Sequence, residues 1–242
     1  MEAASLARRS ALLRLGGALL LTGTVAWLVL SGLHGDLPRT GQEVVEQIQG
    51  TLWRTVHMFT IVAIFIVAAG LALISATLID PKAFALGRAG TMIMVPAAAV
   101  LGVDFAIDGF ALAALADEYA SAPDQAARAM HVMQADLMLK VIGGTSFAYQ
   151  TLFGLAVAIL AGATLLSGEY PRWMCWLGLA GGVVWGIAGI LIFTQAPGAG
   201  FWLVFIPVLP VALWMLGIGW LARRRGSELA NAAGQPSPAP AR

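Results

Sequence analysis

Residues 90–116 have the sequence GTMIMVPAAAVLGVDFAIDGFALAALA, and this stretch decides what kind of protein the chain is. It is longer than the roughly 20 apolar residues that a helix needs to cross a bilayer. Its only charged residues are Asp104 and Asp108, four positions apart and therefore on one helix face. Each costs about 2.5–3.5 kcal/mol at the bilayer centre. Since partners or a wet cavity normally offset such a cost, the stretch predicts a transmembrane helix that carries a polar site.

The composition of the whole chain is that of a membrane protein. Of its 242 residues, 59% are hydrophobic and 11% are charged, with a mean hydropathy of +0.82. Soluble domains carry about 25% charged residues. The net charge of +1 and the lack of any nucleic-acid-binding motif lead us to expect no nucleic-acid partner. The single cysteine, Cys175, excludes an intrachain disulfide and a multi-cysteine zinc site.

Five further apolar runs predict an all-α, polytopic protein, a six-transmembrane-helix bundle in the lipid bilayer. The predicted spans are 12–33, 53–79, 90–116, 137–166, 173–193 and 201–221. Two longer polar connections, 34–50 and 117–136, lie on one side. We expect one membrane domain over residues 1–225. The proline-rich segment 226–242 predicts a disordered cytoplasmic tail.

The chain begins with Arg8, Arg9 and Arg14 ahead of the first apolar run, which resembles the start of a signal peptide. The apolar core of a signal peptide is about 7–15 residues long, and the run 12–33 exceeds that length. We therefore predict an uncleaved first helix.

The distribution of basic residues predicts the orientation in the membrane. Six spans place both termini on one side, and cytoplasmic connections are enriched in Lys and Arg. With the termini inside, the outer side holds four of the 14 basic residues, Arg39, Arg54, Arg128 and Lys140. The inner side holds the other ten, Arg8, Arg9, Arg14, Lys82, Arg88, Arg172, Arg223, Arg224, Arg225 and Arg242. We therefore expect an inner-membrane protein with both termini in the cytoplasm.

The remaining ionisable residues of the spans fall at a similar depth, in the outer third of the bundle. Two spans begin at that side, and each carries an ionisable pair within its first turns. Together with the two aspartates of the third span they form a candidate polar binding cluster: Arg54, His57, Asp104, Asp108, Asp136 and Lys140.

Two interpretations of this cluster stay open. In the first, the charges are structural ion pairs, Lys140 with Asp136, and Arg54 or Lys140 with Asp104. In the second, they line an outward-facing polar pocket, with Asp104 as its deepest group. Such a pocket would bind a cation, a small polar solute or a lipid headgroup, or would pass protons.

Histidines at the outer ends of the first two spans, His34 and His57, raise the question of a metal or haem site. His34 lies beside Gly35 and Asp36 in a predicted loop, so we interpret it, like His131, as a surface or capping residue. We interpret His57 as a hydrogen-bonded structural residue. We therefore expect no metal ligand, no cofactor and no catalytic residue.

A ridge of small residues at four-residue spacing runs along the fifth span, formed by Gly178, Gly182 and Gly186. Such a ridge allows the backbone of another helix to approach closely. We expect packing within the chain, and oligomerisation through this face is the less favoured alternative.

The sequence LLSGEYPRWMCWLGLAGG, residues 165–182, resembles a turn in a family of bacterial six-helix membrane proteins classed as domain of unknown function 4386. The third-span aspartate and the loop of about 20 residues before the fourth span are similar as well. Cys175 stands where that family has a glycine. The resemblance implies a six-helix membrane fold over residues 10–222 and no particular activity.

These observations favour binding or transport of a small polar solute or ion. A membrane-embedded enzyme that works at the outer leaflet, with Asp104 or His57 as its acid–base group, is one alternative. A structural or accessory subunit of a membrane complex is the other.

Overall fold

The computed structural model describes residues 2–34, 38–48, 51–193 and 202–233, and over those ranges the chain forms no strand. The helices are α1 (Glu2–His34), α2 (Gly41–Gln47), α3 (Thr51–Ser75), α4 (Pro81–Ala106), a π-helical turn (Ile107–Ala111), α5 (Leu112–Ser121), α6 (Gln125–Ser167), α7 (Arg172–Phe193) and α8 (Trp202–Ala233).

Six helical stretches are long and apolar enough to cross a membrane, which confirms the predicted fold class. They are Ala4–His34, Leu52–Ser75, Pro81–Ser121, Gln125–Ser167, Arg172–Leu191 and Ile206–Ala232. The third of them joins α4, the π-helical turn and α5 into one continuous rod. The short helix α2 is the exception, because it does not span.

Several boundaries differ from those predicted, and capping residues explain two of them. The helix of the third span begins at Pro81, nine residues earlier than predicted, because the Asp80 side chain accepts the Ala83 N–H at 2.8 Å. The helix of the fourth span begins at Gln125, where Asp124 accepts the Ala127 N–H at 2.8 Å. An aspartate before the first helical residue stabilises a helix by about 1 kcal/mol.

The first part of the predicted disordered tail, 226–233, is helical, because α8 continues to Ala233. Two contacts hold this extension against the bundle. The Ser10 hydroxyl donates to the Gly226 carbonyl at 2.6 Å, and the Arg225 guanidinium binds Glu169 at 2.8 Å. The rest of the predicted tail, 234–242, lies outside the described residues.

The spanning helices form a ring in which each one packs against two neighbours. Helix α1 lies between α3 and α8, α4 lies between α3 and α6, and α7 lies between α6 and α8. Aromatic rings fill the interior, where Trp27 stacks on Trp185 at 5.5 Å and Phe153 lies 5.0 Å from Trp185.

The glycine ridge of α7 packs within the chain. A Cβ placed on Gly182 would lie 2.7 Å from the Gly154 carbonyl oxygen of α6, so only glycine permits this approach. A Cβ placed on Gly178 would overlap the Trp214 ring of α8. The ridge thus brings α7 against both of its neighbours.

Both ends of the bundle carry polar side chains. The Arg9 end consists of the start of α1, the α6–α7 turn around Glu169, and the last turns of α8. The His34 end consists of the end of α1, helix α2, the start of α3 and the π-helical turn. The residues with the most unusual surroundings lie at the His34 end.

Candidate metal centre

Three side chains from three helices meet at the His34 end. His34 is the last residue of α1, His57 lies in the second turn of α3, and Asp108 lies in the π-helical turn. The two Nε2 atoms are 3.0 Å apart, and Asp108 Oδ2 lies 3.1 Å from His57 Nε2 and 3.4 Å from His34 Nε2. The three side chains are 10%, 0% and 6% exposed, respectively. We call this group the His–His–Asp triad.

The π-helical turn and a glycine allow α3 and α4 to approach closely enough to form the triad. Turns of π-helix inside α-helices occur frequently at functional sites. A Cβ on Gly109 would overlap the His57 side chain, so this position accepts only glycine without a shift of the helices. The Trp53 indole N–H donates to the Asp108 carbonyl at 2.9 Å and thereby fixes the turn against α3.

The second ring nitrogen of His57 determines which atom of that ring faces the triad. His57 Nδ1 lies 2.7 Å from the Trp53 carbonyl oxygen. Because a carbonyl can only accept, Nδ1 carries the proton, and Nε2 of the neutral ring presents a lone pair to the triad. Histidines that bind metals almost always donate their other N–H to a carbonyl or carboxylate in this way.

The triad contains more acceptors than donors. His57 Nε2 and Asp108 Oδ2 both present lone pairs, and they face each other at 3.1 Å. Asp108 Oδ1 is also buried and has no hydrogen-bond partner among the residues that the structure describes. Buried polar atoms without partners are rare in proteins and costly, at about 1–3 kcal/mol each. A cation among the three side chains, or additional protons, would remove this deficit.

The spacing of the three atoms fits a metal ion. Ligands at 2.0–2.1 Å in a tetrahedron lie about 3.3 Å apart, and neighbouring ligands of an octahedron at that bond length lie about 2.9 Å apart. The observed separations of 3.0, 3.1 and 3.4 Å lie within and next to this interval. Two imidazoles and one carboxylate are a common ligand set for zinc and for non-haem iron.

Aromatic rings and a covering helix shield the triad. The Trp53 ring lies 4.8 Å from both histidine rings, and the Phe105 ring lies 5.2 Å from His57. Helix α2 packs on α5 and α6 through the buried residues Val44, Val45, Ile48, Leu112, Ala113, Ala135 and Ile142. A site shielded in this way strengthens electrostatic interactions, because water does not screen them.

A second carboxylate, Asp104, lies four residues before Asp108 in the same rod and is 3% exposed. It accepts hydrogen bonds from the Thr145 hydroxyl and, at 3.0 and 3.1 Å, from the Ser146 hydroxyl, both on α6. Within the described part of the chain, no basic side chain forms an ion pair with it.

Of the predicted cluster, the structure brings His57 and Asp108 together, with Asp104 one turn away. The other three members lie elsewhere. Arg54 binds Asp117 at 2.5 Å, and Asp136 accepts the Gly41 N–H of α2 at 2.5 Å. Lys140 is exposed and forms no ion pair with a described carboxylate. The predicted pairs of Lys140 with Asp136, and of Arg54 or Lys140 with Asp104, are therefore not present among these residues.

The expectation that His34 is a surface residue is wrong. Helix α1 continues through His34 and turns its side chain, which is 10% exposed, toward His57. His131, in contrast, lies 3.5 Å from the exposed Glu118 and takes no part in the triad. The signal that would have identified His34 was its position beside His57, at the matching end of a neighbouring span.

Comparisons with family models, with curated proteins and with solved structures found no match. The resemblance to domain of unknown function 4386 therefore stays a prediction. The triad is the feature of this chain that bears on its function.

Proposed function

We propose that this chain is a multi-pass membrane protein that binds one divalent transition-metal ion through His34, His57 and Asp108. The observation that carries the proposal is the convergence of three ligand atoms within 3.0–3.4 Å of one another. His57 contributes most to this argument, because its Nδ1–H is engaged by the Trp53 carbonyl and its Nε2 lone pair is directed at the other two side chains.

The ligand chemistry narrows the class of ion. Calcium and magnesium take oxygen ligands, and Mg²⁺ keeps much of its water. Soft ions such as Cu(I) prefer thiolates and thioethers, whereas imidazole suits zinc, iron, nickel and copper. Two imidazoles with one carboxylate therefore support Zn²⁺ or Fe²⁺. The ion would also remove the deficit of donors around Asp108, whose Oδ1 atom lies buried and unpartnered.

We propose that the ion stays bound at the triad and is not transported through the bundle. On the Arg9 side of Asp104, no buried residue of α4 has an oxygen or nitrogen atom in its side chain; these residues are Ala83, Gly87, Gly90, Met94, Ala97, Ala98 and Leu101. An ion that left the triad in this direction would lose its ligands and meet hydrocarbon, which is costly. Of the two predicted functions, binding or transport of a small ion, we therefore propose binding.

Metal content of the purified protein tests the proposal directly. The chain is purified in detergent, stripped with chelator and dialysed against Zn²⁺ or Co²⁺, and bound metal is then measured by elemental mass spectrometry. We expect one ion per chain. His57→Ala and His34→Ala should each lose it, whereas the matched control His131→Ala should keep it, because His131 lies outside the triad. Equal metal content in wild type and a His34→Ala/His57→Ala double variant would overturn the proposal.

The same experiment reports the geometry of the site. Tetrahedral Co²⁺ absorbs visible light far more strongly than octahedral Co²⁺, so the spectrum of the loaded protein distinguishes the two arrangements that the ligand spacing accommodates. An intense visible band that is lost in Asp108→Asn would support a tetrahedral, zinc-type site.

We further propose that the chain lies in a bacterial inner membrane with both termini in the cytoplasm, so that the triad is near the outer face. The excess of basic residues toward the termini supports this orientation. Reporter fusions at residue 233 and within the α5–α6 connection test it. Cytoplasmic activity of the first fusion and external activity of the second are expected, and the reverse pattern would refute the orientation.

A second candidate function is a metal-dependent enzyme at the outer leaflet. Structural zinc sites generally have four protein ligands, whereas catalytic sites have three and keep a position for water or substrate. Among the described residues, the triad has three. Chelator-sensitive cleavage of ester- or amide-linked lipids in mixed micelles, lost in His57→Ala and kept in His131→Ala, would support the enzyme. Full metal loading without turnover of such lipids would favour binding alone.

A further inference from the structure

Within the described ranges of the chain, the neighbourhood of the triad contains two buried carboxylates and no basic partner for either except the two histidines. Counted as whole residues, Asp104 and Asp108 are 3% and 4% exposed, and they lie four positions apart in one helical rod. The nearest basic residues in the predicted cluster are directed elsewhere, with Arg54 on Asp117 and Lys140 exposed. The Ser146 hydroxyl donates to Asp104 at 3.0 Å, and the Thr145 hydroxyl, which also reaches the Val141 and Ile142 carbonyls, lies within hydrogen-bond distance of the carboxylate.

Charge balance follows from this arrangement. A bound cation favours the ionised form of both carboxylates, which then carry two negative charges, and the neutral rings of His34 and His57 add none. A divalent ion makes the buried group neutral, whereas a monovalent ion leaves one negative charge uncompensated in a shielded site. Uncompensated buried charge is strongly unfavourable.

We infer that Asp104 is a specificity-determining residue, whose charge makes the triad select divalent over monovalent metal ions. This inference rests on the proposed function, since it requires that the triad binds an ion. Asp104 acts from outside the ligand set, because the described residues whose ligand atoms are close enough to share one ion are His34, His57 and Asp108. Ser146 and Thr145 are positioning residues that hold the carboxylate toward α6.

The inference predicts unequal effects on ions of different charge. The energy between two charges is proportional to their product, so the loss of Asp104's charge costs a divalent ion twice as much energy as a monovalent one. Removal of an outer partner typically weakens metal affinity about 10–100-fold. If Zn²⁺ loses about 100-fold, a monovalent ion should lose about 10-fold. A role limited to maintaining the shape of the site would weaken both ions by the same factor.

The experiment measures Kd for Zn²⁺ and for Ag⁺, a monovalent ion that imidazole also binds, by competition dialysis in the dark in chloride-free nitrate buffer without reductant. The variants are Asp104→Asn, which removes the charge, and Asp104→Glu, which restores it. Glu118→Gln is the matched control, because Glu118 is a carboxylate at the same end with a side chain that is 62% exposed. Size-exclusion chromatography and thermal denaturation confirm that each variant is folded.

We expect the ratio of Ag⁺ to Zn²⁺ affinity to rise about tenfold in Asp104→Asn. We expect the ratio to return toward the wild-type value in Asp104→Glu and to stay unchanged in Glu118→Gln. An Asp104→Asn protein that weakens both ions equally would overturn this inference and leave the metal site intact. If Asp104→Asn does not fold, Asp104→Ser, which also removes the charge, replaces it: a tenfold rise in the ratio supports the inference, and an unchanged ratio overturns it. A wild-type protein that binds neither ion would instead refute the proposed function.

Discussion

Each end of the bundle contains a largely buried carboxylate, and the surroundings of the two carboxylates are opposite in kind. At the Arg9 end, the Glu169 carboxylate is 14% exposed and receives the Arg9 guanidinium at 2.7 and 2.8 Å and the Arg225 guanidinium at 2.8 Å. The remaining Arg9 Nε–H donates to the Thr77 carbonyl at 3.0 Å. Both carboxylate oxygens of Glu169 and the Thr77 carbonyl therefore have a donor supplied by the chain itself.

At the His34 end, the Asp108 carboxylate, whose side chain is 6% exposed, faces the lone pair of His57 Nε2. Asp108 lies beside His57 and His34, one of its oxygens is unpartnered, and the guanidinium of Arg54 is 2.5 Å from Asp117 instead. The Arg9 end links α1, α8 and the α6–α7 turn as an ion-pair network. The His34 end has the composition of a ligand set. The two clusters differ in their balance of hydrogen-bond donors and acceptors more than in their number of charges. A cluster with a donor for each acceptor is typical of a structural role, and a cluster with a deficit of donors is typical of a binding site.

The largest expected effect is stabilisation of the His34 end by metal. A ligand that binds only the folded state at 100 times its Kd adds about 2.7 kcal/mol to the free energy of unfolding. We expect Zn²⁺ to raise the Tm of the stripped wild type in detergent by a corresponding amount and to leave Asp108→Asn unchanged. In the stripped protein, Asp108→Asn should be neutral or stabilising, because the Asn amide can donate to His57 Nε2. A Zn²⁺ response in Asp108→Asn equal to that of wild type would show that the His34 end does not differ from the Arg9 end by acting as a ligand set.

A methyl group at Gly109 should disrupt the His34 end without altering any ligand. Gly109→Ala places a Cβ inside the His57 side chain, so α3 and the π-helical turn have to separate. Overpacking of this kind costs about 1–3 kcal/mol. We expect a lower Tm in chelator and reduced Zn²⁺ affinity. Gly102→Ala is the matched control in the same rod, since the nearest atom to its Cβ would be at 3.6 Å. Equal behaviour of the two variants would contradict the close approach.

Loss of the central carboxylate at the Arg9 end should destabilise the protein whether or not metal is present. Glu169→Gln leaves Arg9 and Arg225, whose side chains are 19% and 37% exposed, without their carboxylate partner. Buried pairs cost about 3–5 kcal/mol when broken, and partial exposure reduces our expectation to about 1–2 kcal/mol. The control is Glu228→Gln, which breaks an exposed pair with Arg224 and should change the Tm little. A metal-dependent effect of Glu169→Gln would show that the two ends are coupled.

The sequence predicts depth in the membrane well and rotation about each helix axis poorly. Six apolar runs of bilayer length leave little choice of fold, because helices satisfy their backbone groups in lipid. His57, Asp104 and Asp108 were identifiable because ionisable residues inside such runs are costly. Arg54 and Lys140 have suitable depth but the wrong direction, which only the packing of neighbouring helices determines. His34 was missed because the first span was predicted to end at residue 33, one residue before the last residue of α1.

The smallest expected effect comes from the loss of a hydrogen bond that supports the triad while the three triad residues stay unchanged. Trp53→Phe keeps an aromatic ring beside both histidines and keeps the backbone carbonyl that accepts from His57, but it removes the indole N–H that donates to the Asp108 carbonyl at 2.9 Å. One such hydrogen bond contributes about 0.5–1.5 kcal/mol. We expect a small fall in Tm and Zn²⁺ loading that stays at one ion per chain, with a weaker Kd, because the freed π-helical turn holds Asp108 less firmly. Trp220→Phe, at an exposed ring of the Arg9 end, is the control and should change neither quantity. If Trp53→Phe abolished loading altogether, the ligand set would have to depend on the indole itself, and the assignment of three ligands would be incomplete.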